Sequence, residues 1–295
     1  MKLLLLGGTG QVGRELRRSL PPLGEVIVAT RSGVDADVAA DFSDPAALAA
    51  LVRELAPDVV VNAAAYTAVD RAETDADAAY RVNAEAPAAI AQACAEINAL
   101  LVHYSTDYVF DGSGVRPYRE DDATAPLGVY GASKLAGEQA IRDSGARHAI
   151  LRTAWVYAAH GKNFLLTMLR LAGERDELRV VADQVGAPTP ASWIADVTAE
   201  VIRHGVARSG IWHLVADGET SWHGFAEAIM DEAHALGLLA RMPRVLPITT
   251  ADYPTPAQRP AYSVLDTVKL RGDFGIAPPH WRDGLRSTLQ ELSAI

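Results

Sequence analysis

A phenol and a primary amine stand four residues apart in the stretch VYGASKLAGEQ, as Tyr130 and Lys134. If this stretch is helical, both side chains lie on one face, about one turn apart. A phenol ordinarily has a pKa of about 10, and a neighbouring ammonium lowers it by favouring the charged form. Such a pair could serve as a general acid and base near neutral pH. The same spacing also occurs on ordinary surface helices, so its meaning depends on the rest of the chain.

Four glycines follow the first apolar run of the chain, in the stretch LLGGTGQVGREL, and three of them are regularly spaced. Gly7, Gly10 and Gly13 have the spacing of a strand-to-helix turn that binds a dinucleotide. Glycine permits the tight turn and the close approach of a pyrophosphate, and the N-terminus of the next helix offers free N–H groups to phosphate. Gln11 and Val12 open that helix and join the glycines as predicted cofactor-binding residues. A plain glycine-rich turn is the alternative interpretation.

The end of the second predicted strand indicates which nicotinamide cofactor is bound. An acid at this position binds ribose hydroxyls, whereas a cation accommodates a 2′-phosphate. The chain has Thr30 and Arg31 here, with no acid before Asp35. Arg31 therefore favours NADPH, with NADH as the second choice, and a solvated arginine is the alternative. Asp41 and Phe42 are predicted to lie at the adenine edge.

Short apolar strands alternate with helical patterns through the first half of the chain. Strands are predicted at KLLLLG, EVIVAT, DVVVNAA, LLVHYST and HAILRT, with a shorter one near Val38. Helices are predicted over 11–20, after the Asp44 cap with Pro45 in the first turn, and over 75–98 with a bend at Pro87. This alternation predicts an α/β fold, a Rossmann-type doubly wound parallel sheet with helices on both faces.

The pattern loosens after about residue 152, where proline-rich loops separate the elements. Helices are predicted near 164–173, 194–204, 221–236 and 281–292, and short strands near 179–181 and 211–214. We expect residues 1–152 to form an NADP-binding Rossmann domain. Residues 153–295 are expected to form mainly a smaller C-terminal substrate-binding lobe, interleaved with the sheet.

The composition of the 295-residue chain is that of an ordinary soluble globular protein, with 49% apolar and 22% charged residues. Its formal net charge of −10 argues against bulk attraction to nucleic acid or to an anionic membrane. Cys94 is the only cysteine, which excludes an intrachain disulfide and a cysteine metal site. No run is long enough for a signal peptide or a membrane span, so we expect a cytoplasmic protein, as a monomer or a homodimer.

Further motifs extend the chemistry of the tyrosine–lysine pair. Asn83 and Thr106 follow the glycines in the order typical of extended short-chain dehydrogenase/reductases, and the chain resembles that family. The stretches STDYVFDG, APLGVYGASKLAGE, RTAWVYA, DQVGAPT and YPTPAQRP are similar to those of the dTDP-4-dehydrorhamnose reductases, over nearly the whole chain. The resemblance implies that NADPH reduces the C4 ketone of a dTDP-linked 6-deoxy-4-keto sugar, the last step of dTDP-L-rhamnose synthesis. Tyr130 would donate the proton, while Thr106 and Lys134 orient the oxygen and stabilise its charge.

The resemblance also implies the remaining site residues. The cofactor would contact Ala63, Ala64, Ala65, Tyr66, Thr67, Asn83 and Tyr104, together with Tyr130 and Lys134. The substrate would contact Thr67, Thr106, Asp107, Trp155, Gln184, Pro188, Thr189 and Arg259. Trp155 suits stacking on the apolar face of a deoxy sugar, and the planar guanidinium of Arg259 suits a diphosphate. Core packing for Trp155, backbone capping for Asn83 and a surface position for Arg259 are the alternatives.

Relatives with other activities differ at identifiable positions. A nucleotide-sugar 4,6-dehydratase has a glutamate where this chain has Tyr108, and an epimerase must retain oxidised NAD, which Arg31 disfavours. Two alternatives stay open, namely a reductase of another 4-keto nucleotide sugar, such as the dihydrostreptose type, and a non-catalytic NADP-binding regulatory subunit. Such subunits tend to lose the tyrosine–lysine pair that this chain keeps.

Members of the family have been described with a divalent metal held by glutamates at a dimer contact. Ser192 stands where such an acid is expected, and the eight histidines show no ligand spacing. We therefore predict no metal, and the choice between monomer and homodimer stays open.

Overall fold

The computed structural model describes residues 1–207 and 209–294. Its strands are β1 (Lys2–Leu6), β2 (Glu25–Thr30), β3 (Val38–Ala39), β4 (Val59–Asn62), β5 (Leu100–Thr106), β6 (Arg147–Thr153), β7 (Val156–Tyr157), β8 (Glu177–Val181), β9 (Val185–Gly186), β10 (Thr189–Pro190), β11 (Gly210–His213), β12 (Thr220–Ser221) and β13 (Arg244–Ile248). Its α-helices are α1 (Gln11–Ser19), α2 (Pro45–Leu55), α3 (Val69–Ala72), α4 (Ala76–Tyr80), α5 (Ala86–Glu96), α6 (Val129–Asp143), α7 (Phe164–Glu174), α8 (Ala191–His204), α9 (Trp222–Ala235), α10 (Val268–Phe274) and α11 (Trp281–Ser293).

Seven parallel strands form the central sheet in the order β11-β6-β5-β4-β1-β2-β3. The chain leaves β1 toward β2 on one side and later returns to β4 on the other. The strand order therefore reverses between β1 and β4, and ligands of such sheets bind outside the carboxyl ends of the strands at this point. The sheet confirms the predicted Rossmann-type architecture.

Alternate residues of β1 enter two different cores. Leu3 and Leu5 pack in one core with residues of α1, α8 and α10, while Leu4 and Leu6 pack in a second with residues of α2, α5 and α6. Successive strand side chains point to opposite faces, so a strand covered by helices on both sides is apolar throughout. The run of leucines that predicted a buried strand is thereby explained.

The long helix predicted over 75–98 is divided in the structure. A π-helical turn over Arg81–Glu85 separates α4 from α5. Pro87 has no N–H to donate to the carbonyl of Asn83, so a regular α-helical bond cannot form there. That carbonyl instead faces α6, where a Cβ added at Gly137 would lie 2.1 Å from it. The predicted helical run is confirmed over 76–96, and its irregularity before Pro87 is a π-helical turn.

The second half of the chain contributes to the sheet and also builds a core of its own. Strand β11 pairs with β6, whereas α7, α9 and α11 pack around residues such as Phe225, Leu165 and Leu285. Strands β8 and β13 pair beside this core. The division of the chain at residue 152 stays a prediction.

Within the two described ranges, no helix is both long enough and apolar enough to cross a membrane.

Candidate active site

The three predicted catalytic residues come together at the carboxyl end of β5. Tyr130 and Lys134 lie in the first two turns of α6, and Thr106 is the last residue of β5. The Thr106 hydroxyl faces the hydroxyl of Tyr130, and Lys134, only 2% exposed, donates from Nζ to the carbonyl oxygen of Tyr104 at 2.6 Å. The ring of Tyr130 packs edge-on against Tyr108 at 5.6 Å. The helix and the strand thus hold two hydroxyls and an amine in one place.

Burial changes the proton affinities of this set. It raises the pKa of Tyr130 to about 12, although the Thr106 hydroxyl opposes the rise. Burial also lowers the pKa of Lys134 to about 8, an effect that the carboxylate of Glu138 opposes. We expected the ammonium of Lys134 to lower the pKa of Tyr130. For the protein groups alone this expectation is wrong, because burial raises that pKa. Desolvation disfavours both charged forms, so the tyrosine keeps its proton while the lysine releases one more readily.

Asp107 directs a carboxyl group toward the same place. Its Oδ1 accepts from the Thr106 hydroxyl at 3.0 Å, while its Oδ2 is buried without a hydrogen-bond partner in the described parts of the chain. Burial raises the pKa of Asp107 to about 6, although the nearby hydroxyls of Ser263 and Thr106 oppose the rise. A buried oxygen with no partner is costly, which suits an oxygen that a sugar hydroxyl satisfies on binding.

A groove of about 580 Å³ runs along the carboxyl ends of β1 and β4. The predicted cofactor residues in its lining are Gly7, Gly10, Arg31, Phe42, Ala63, Ala64, Ala65 and Tyr66. Gly7 has φ +83°, and a Cβ there would lie 2.7 Å from the backbone nitrogen of Ala64. Only glycine therefore fits at the floor of this turn, and the space it leaves suits the close approach of a pyrophosphate.

Other predicted cofactor residues lie outside the lining of the groove. A Cβ at Gly13 would lie 2.1 Å from the oxygen of Gly7, so Gly13 serves the packing of helix α1 on the turn. Thr30 is buried and donates its hydroxyl to the oxygen of Val34, and Asp41 lies 3.5 Å from Arg31. Gln11, Val12 and Thr67 do not line the groove.

Positively charged side chains line part of the groove. Arg31, Arg71 and Arg81 all line it, and only Arg31 was predicted from the sequence. Arg71 pairs with Asp75 at 3.3 Å across one helical turn. Arg31 and Arg81 also have carboxylates nearby, Asp41 at 3.5 Å and Glu85 at 4.0 Å, but all three arginine side chains are exposed and remain accessible to a 2′-phosphate.

Asn83 acts on the backbone of a groove residue. Its Oδ1 accepts from the amide of Tyr66 at 2.8 Å, and its Nδ2 donates to the carbonyl of Tyr66 and to the hydroxyl of Ser133, both at 3.0 Å. The side chain therefore ties the groove to α6. Tyr104 likewise does not line the groove, because its hydroxyl bonds to Thr198 of α8 at 2.6 Å.

Trp155 is held in an unusual backbone conformation. Its φ is +49°, a region that bulky residues avoid, and such strain is often found at functional sites. One face of its indole stacks on Trp222, with ring centroids 3.5 Å apart. A Cβ at Gly186 would lie 2.6 Å from the indole, so the absence of a side chain there makes room for it. Trp222 was not identified from the sequence, because only the fold brings it to Trp155.

The predicted substrate residues of the C-terminal half have partners within the protein. Gln184 donates to the hydroxyl of Thr250 at 3.0 Å, and Thr189 is fully buried, donating to the oxygen of Ala187 at 3.0 Å. Pro188 is also buried. The Thr189 hydroxyl also accepts from the amide of Ala216 at 3.2 Å, so both Thr189 and Gln184 join separate segments of the chain.

Arg259 forms a two-fold contact with Asp70 of α3. Its Nη1 and Nη2 donate to the two carboxylate oxygens at 2.9 and 2.7 Å. This pair links the C-terminal half of the chain to the Rossmann half. The guanidinium predicted to grip a diphosphate is therefore already paired with a carboxylate, which sequence reasoning did not foresee.

A larger cavity of about 1040 Å³ lies elsewhere, beside β6, β11 and the later turns of α6. Charges of both signs line it, among them Arg142, Lys269, Asp121 and Asp266, and none of the predicted site residues does. No group of three or more His, Cys, Asp or Glu side chains suited to a metal occurs among the residues that the structure describes. The absence of a metal stays a prediction.

Comparison with known proteins gives a consistent result. Residues 1–294 match the model of the family described as RmlD substrate binding domain. The chain is 48% identical to the dTDP-4-dehydrorhamnose reductase of Escherichia coli K12, over 99% of this chain and 98% of the relative. It is 49% identical to that of Burkholderia thailandensis, over 99% of both chains. Among solved structures, the dTDP-4-dehydrorhamnose reductase of Bacillus anthracis in complex with NADP has a TM-score of 0.90 and 34% identity, covering 98% of this chain and 99% of that one.

Proposed function

Because this chain belongs to the RmlD substrate binding domain family, we infer that it catalyses the last step of dTDP-L-rhamnose biosynthesis. In this step the C4 ketone of dTDP-4-dehydro-6-deoxy-L-mannose, also called dTDP-4-dehydro-β-L-rhamnose, is reduced to dTDP-L-rhamnose with NAD(P)H. The observation that supports this most is the meeting of Tyr130, Lys134 and Thr106 at the carboxyl end of β5, the strand that pairs with β4, after which Ala63, Ala64 and Ala65 line the groove. Relatives named dTDP-4-dehydrorhamnose reductase, which are 48% identical to this chain over 98% of their own length, support the choice of substrate.

The groove fits a dinucleotide. The positive φ of Gly7 leaves room for a pyrophosphate, and Arg31, with Arg71 and Arg81, offers positive charge to a 2′-phosphate. We therefore propose NADPH as the preferred cofactor, with NADH as the second choice. When bound, the reduced nicotinamide supplies a hydride to the sugar C4.

Side chains of the protein would complete the reduction by donating one proton to the ketone oxygen. As C4 gains a hydride, the ketone oxygen becomes an alkoxide and needs a hydrogen-bond donor and then a proton. Tyr130 suits the role of acid because burial keeps it protonated, with a pKa of about 12. The Thr106 hydroxyl beside it would orient the oxygen. Lys134 would supply positive charge and would then return a proton to the phenolate that Tyr130 leaves behind, because the pKa of Lys134 is about 8.

Substrate recognition is proposed for residues around this set. Asp107 would accept or donate a hydrogen bond to a sugar hydroxyl through its unpartnered Oδ2, and Trp155, supported from behind by Trp222, would meet the apolar sugar face. Arg259 would exchange Asp70 for the diphosphate. Thr67, Gln184, Pro188 and Thr189 complete the proposed substrate set. Residues 153–295 would thus act mainly as the substrate-binding lobe, and residues 1–152 as the NADP-binding domain.

The protein would work in the cytoplasm on a small nucleotide-sugar substrate, without nucleic acid or membrane, as a monomer or a homodimer. This setting accords with the net charge of −10.

The test is a reduction with deuterium-labelled NADPH. The substrate is made from dTDP-glucose with the upstream dehydratase and 3,5-epimerase, and the product is examined by NMR after this protein is added. We expect NADPH consumption and deuterium at C4 of dTDP-L-rhamnose. A product of another configuration would indicate the reductase of a different 4-keto sugar. NADP binding without turnover would indicate a regulatory subunit and contradict the proposal.

A further inference from the structure

A buried histidine lies directly behind the lysine of the active site. His103, in the middle of β5, is 1% exposed. Its Nε2 lies 3.3 Å from Nζ of Lys134, and its Nδ1 lies 3.1 Å from Nδ2 of Asn62 on the neighbouring strand β4. The imidazole thus joins the sheet to the catalytic helix through two specific contacts.

The orientation of Asn62 determines which imidazole nitrogen carries the proton. Oδ1 of Asn62 accepts from the backbone N–H of Ala64 at 3.1 Å, and a backbone N–H can only donate. The amide nitrogen of Asn62 must therefore be the atom that faces His103, and it donates to Nδ1. An Nδ1 that accepts has no hydrogen, so the neutral ring carries its proton on Nε2, which points at Lys134.

This arrangement conflicts with a charged lysine. An ammonium has three donors and no acceptor, so it would meet the Nε2–H of His103 donor against donor. A neutral amine has a lone pair that can accept from Nε2–H, and it still donates to the oxygen of Tyr104 at 2.6 Å. A doubly protonated ring would be worse, because it would face the amide N–H of Asn62 on one side and the lysine on the other.

We propose that His103 is a positioning residue which, oriented by Asn62, donates from Nε2 to the uncharged amine of Lys134 and so makes the ammonium form of this lysine a stronger acid. The inference rests on the proposed function, in which Lys134 gives up a proton during each reduction. Its expected consequence is an alkaline limit to turnover at a lower pH than an ordinary lysine would set.

The other groups around Lys134 do not favour its uncharged form in the way that His103 does. On α6, Glu138 lies one turn further along and favours the charged lysine, but its carboxylate is held by Arg152 of β6 at 2.7 Å. On β5, Tyr104 offers only its carbonyl oxygen. Burial lowers the pKa of Lys134 to about 8, and burial with the charge of Lys134 holds the pKa of His103 well below its ordinary value. Both shifts act in the same direction as the hydrogen-bond pattern, which favours the neutral form of each group over its charged form.

The decisive measurement uses the whole protein without substrate or turnover. Long-range ¹H–¹⁵N NMR of the histidine-labelled chain at pH 9 distinguishes a ring protonated at Nε2 from one protonated at Nδ1. The His103 signals are assigned by their loss in His103→Gln. We expect a proton on Nε2 and none on Nδ1. A proton on Nδ1 would overturn the proposal, whatever the outcome of the activity assay.

Two variants test the effect on Lys134. In Asn62→Asp the new carboxylate accepts from Nδ1–H and turns Nε2 into an acceptor, and in His103→Gln the amide oxygen can accept from the lysine directly. Both should move the midpoint of the alkaline limb of kcat upward by about one pH unit, a tenfold change in the proton affinity of Lys134. His148→Gln is the control, because that buried histidine on β6 bonds to the oxygen of Ala146 at 2.9 Å. A fall in rate at every pH with an unmoved midpoint in both variants would reduce His103 to a packing role and refute the proposal.

Discussion

Replacing Glu138 by glutamine should destabilise the protein more than most single substitutions. Glu138 of α6 accepts from Nε and Nη2 of Arg152 at 2.9 and 2.7 Å, and the two side chains are 0% and 2% exposed. The guanidinium also lies 5.1 Å from the ring centre of Phe110. Glutamine keeps the shape of the glutamate but removes its charge, so the charge of Arg152 would stay buried without compensation.

The expected magnitude follows from burial. Removing one partner of a buried ion pair costs about 3–5 kcal/mol of unfolding free energy. With an unfolding entropy of about 2.1 cal/mol/K per residue, the 295-residue chain has about 620 cal/mol/K in total. Dividing the first number by the second gives a fall in Tm of about 5–8 °C.

The assay is thermal unfolding followed by circular dichroism at neutral pH. Glu174→Gln is the matched control, because Arg170 and Glu174 form an exposed pair one turn apart, with 60% and 53% of their side chains accessible. Exposed pairs contribute about 0.5 kcal/mol, so this control should lose less than about 1 °C. If Glu138→Gln loses no more than the control, the buried pair does not anchor α6, and the reasoning from burial is wrong.

Three further predictions concern the cofactor, the diphosphate and the pH. Arg31→Ala should raise the KM for NADPH about tenfold in steady-state assays and leave the KM for NADH unchanged, because one charge-assisted contact to the 2′-phosphate would be lost. If both KM values rise equally, Arg31 does not bind the 2′-phosphate. Asp70→Asn should tighten dTDP binding in calorimetry several-fold, since Arg259 is released, and weaker binding would show that Asp70 positions the arginine instead. Folded Asp107 has a pKa of about 6 against an ordinary 3.8, so the folded state holds a proton that the unfolded chain releases, and stability falls as pH rises between these values. In urea unfolding, Asp107→Asn should therefore gain about 3 kcal/mol over the parent at pH 7 but little at pH 4, and a gain independent of pH would contradict the assignment.

The sequence predicted those elements whose signals are local. Strand β1 follows from an unbroken run of leucines, and α2 follows from Asp44, which caps the helix by accepting from the amide of Ala47 at 3.0 Å. The pairing of β8 with β13 joins segments far apart in the chain, and nothing within either segment specifies its partner. Strand β13 was therefore not predicted. Helix α10 was not predicted either.

The residues of the candidate site likewise fall into those with a local sequence signal and those without one. Tyr130 and Lys134 are found by their spacing on one helix, whereas the stacking of Trp222 on Trp155 and the pairing of Asp70 with Arg259 depend on the packing of distant segments. The pKa of Tyr130 was predicted in the wrong direction for the protein groups alone, because desolvation depends on packing that the sequence does not display.

The most direct test of the account is the turnover of Tyr130→Phe with NADPH and the 4-keto sugar nucleotide, measured beside the binding of NADP by the same variant. Removing only the phenolic hydroxyl should lower kcat by about 100-fold or more, since positioned proton transfer contributes that much, while the Kd for NADP stays within about twofold. A kcat within about threefold of the parent enzyme would contradict the claim that this tyrosine donates the proton.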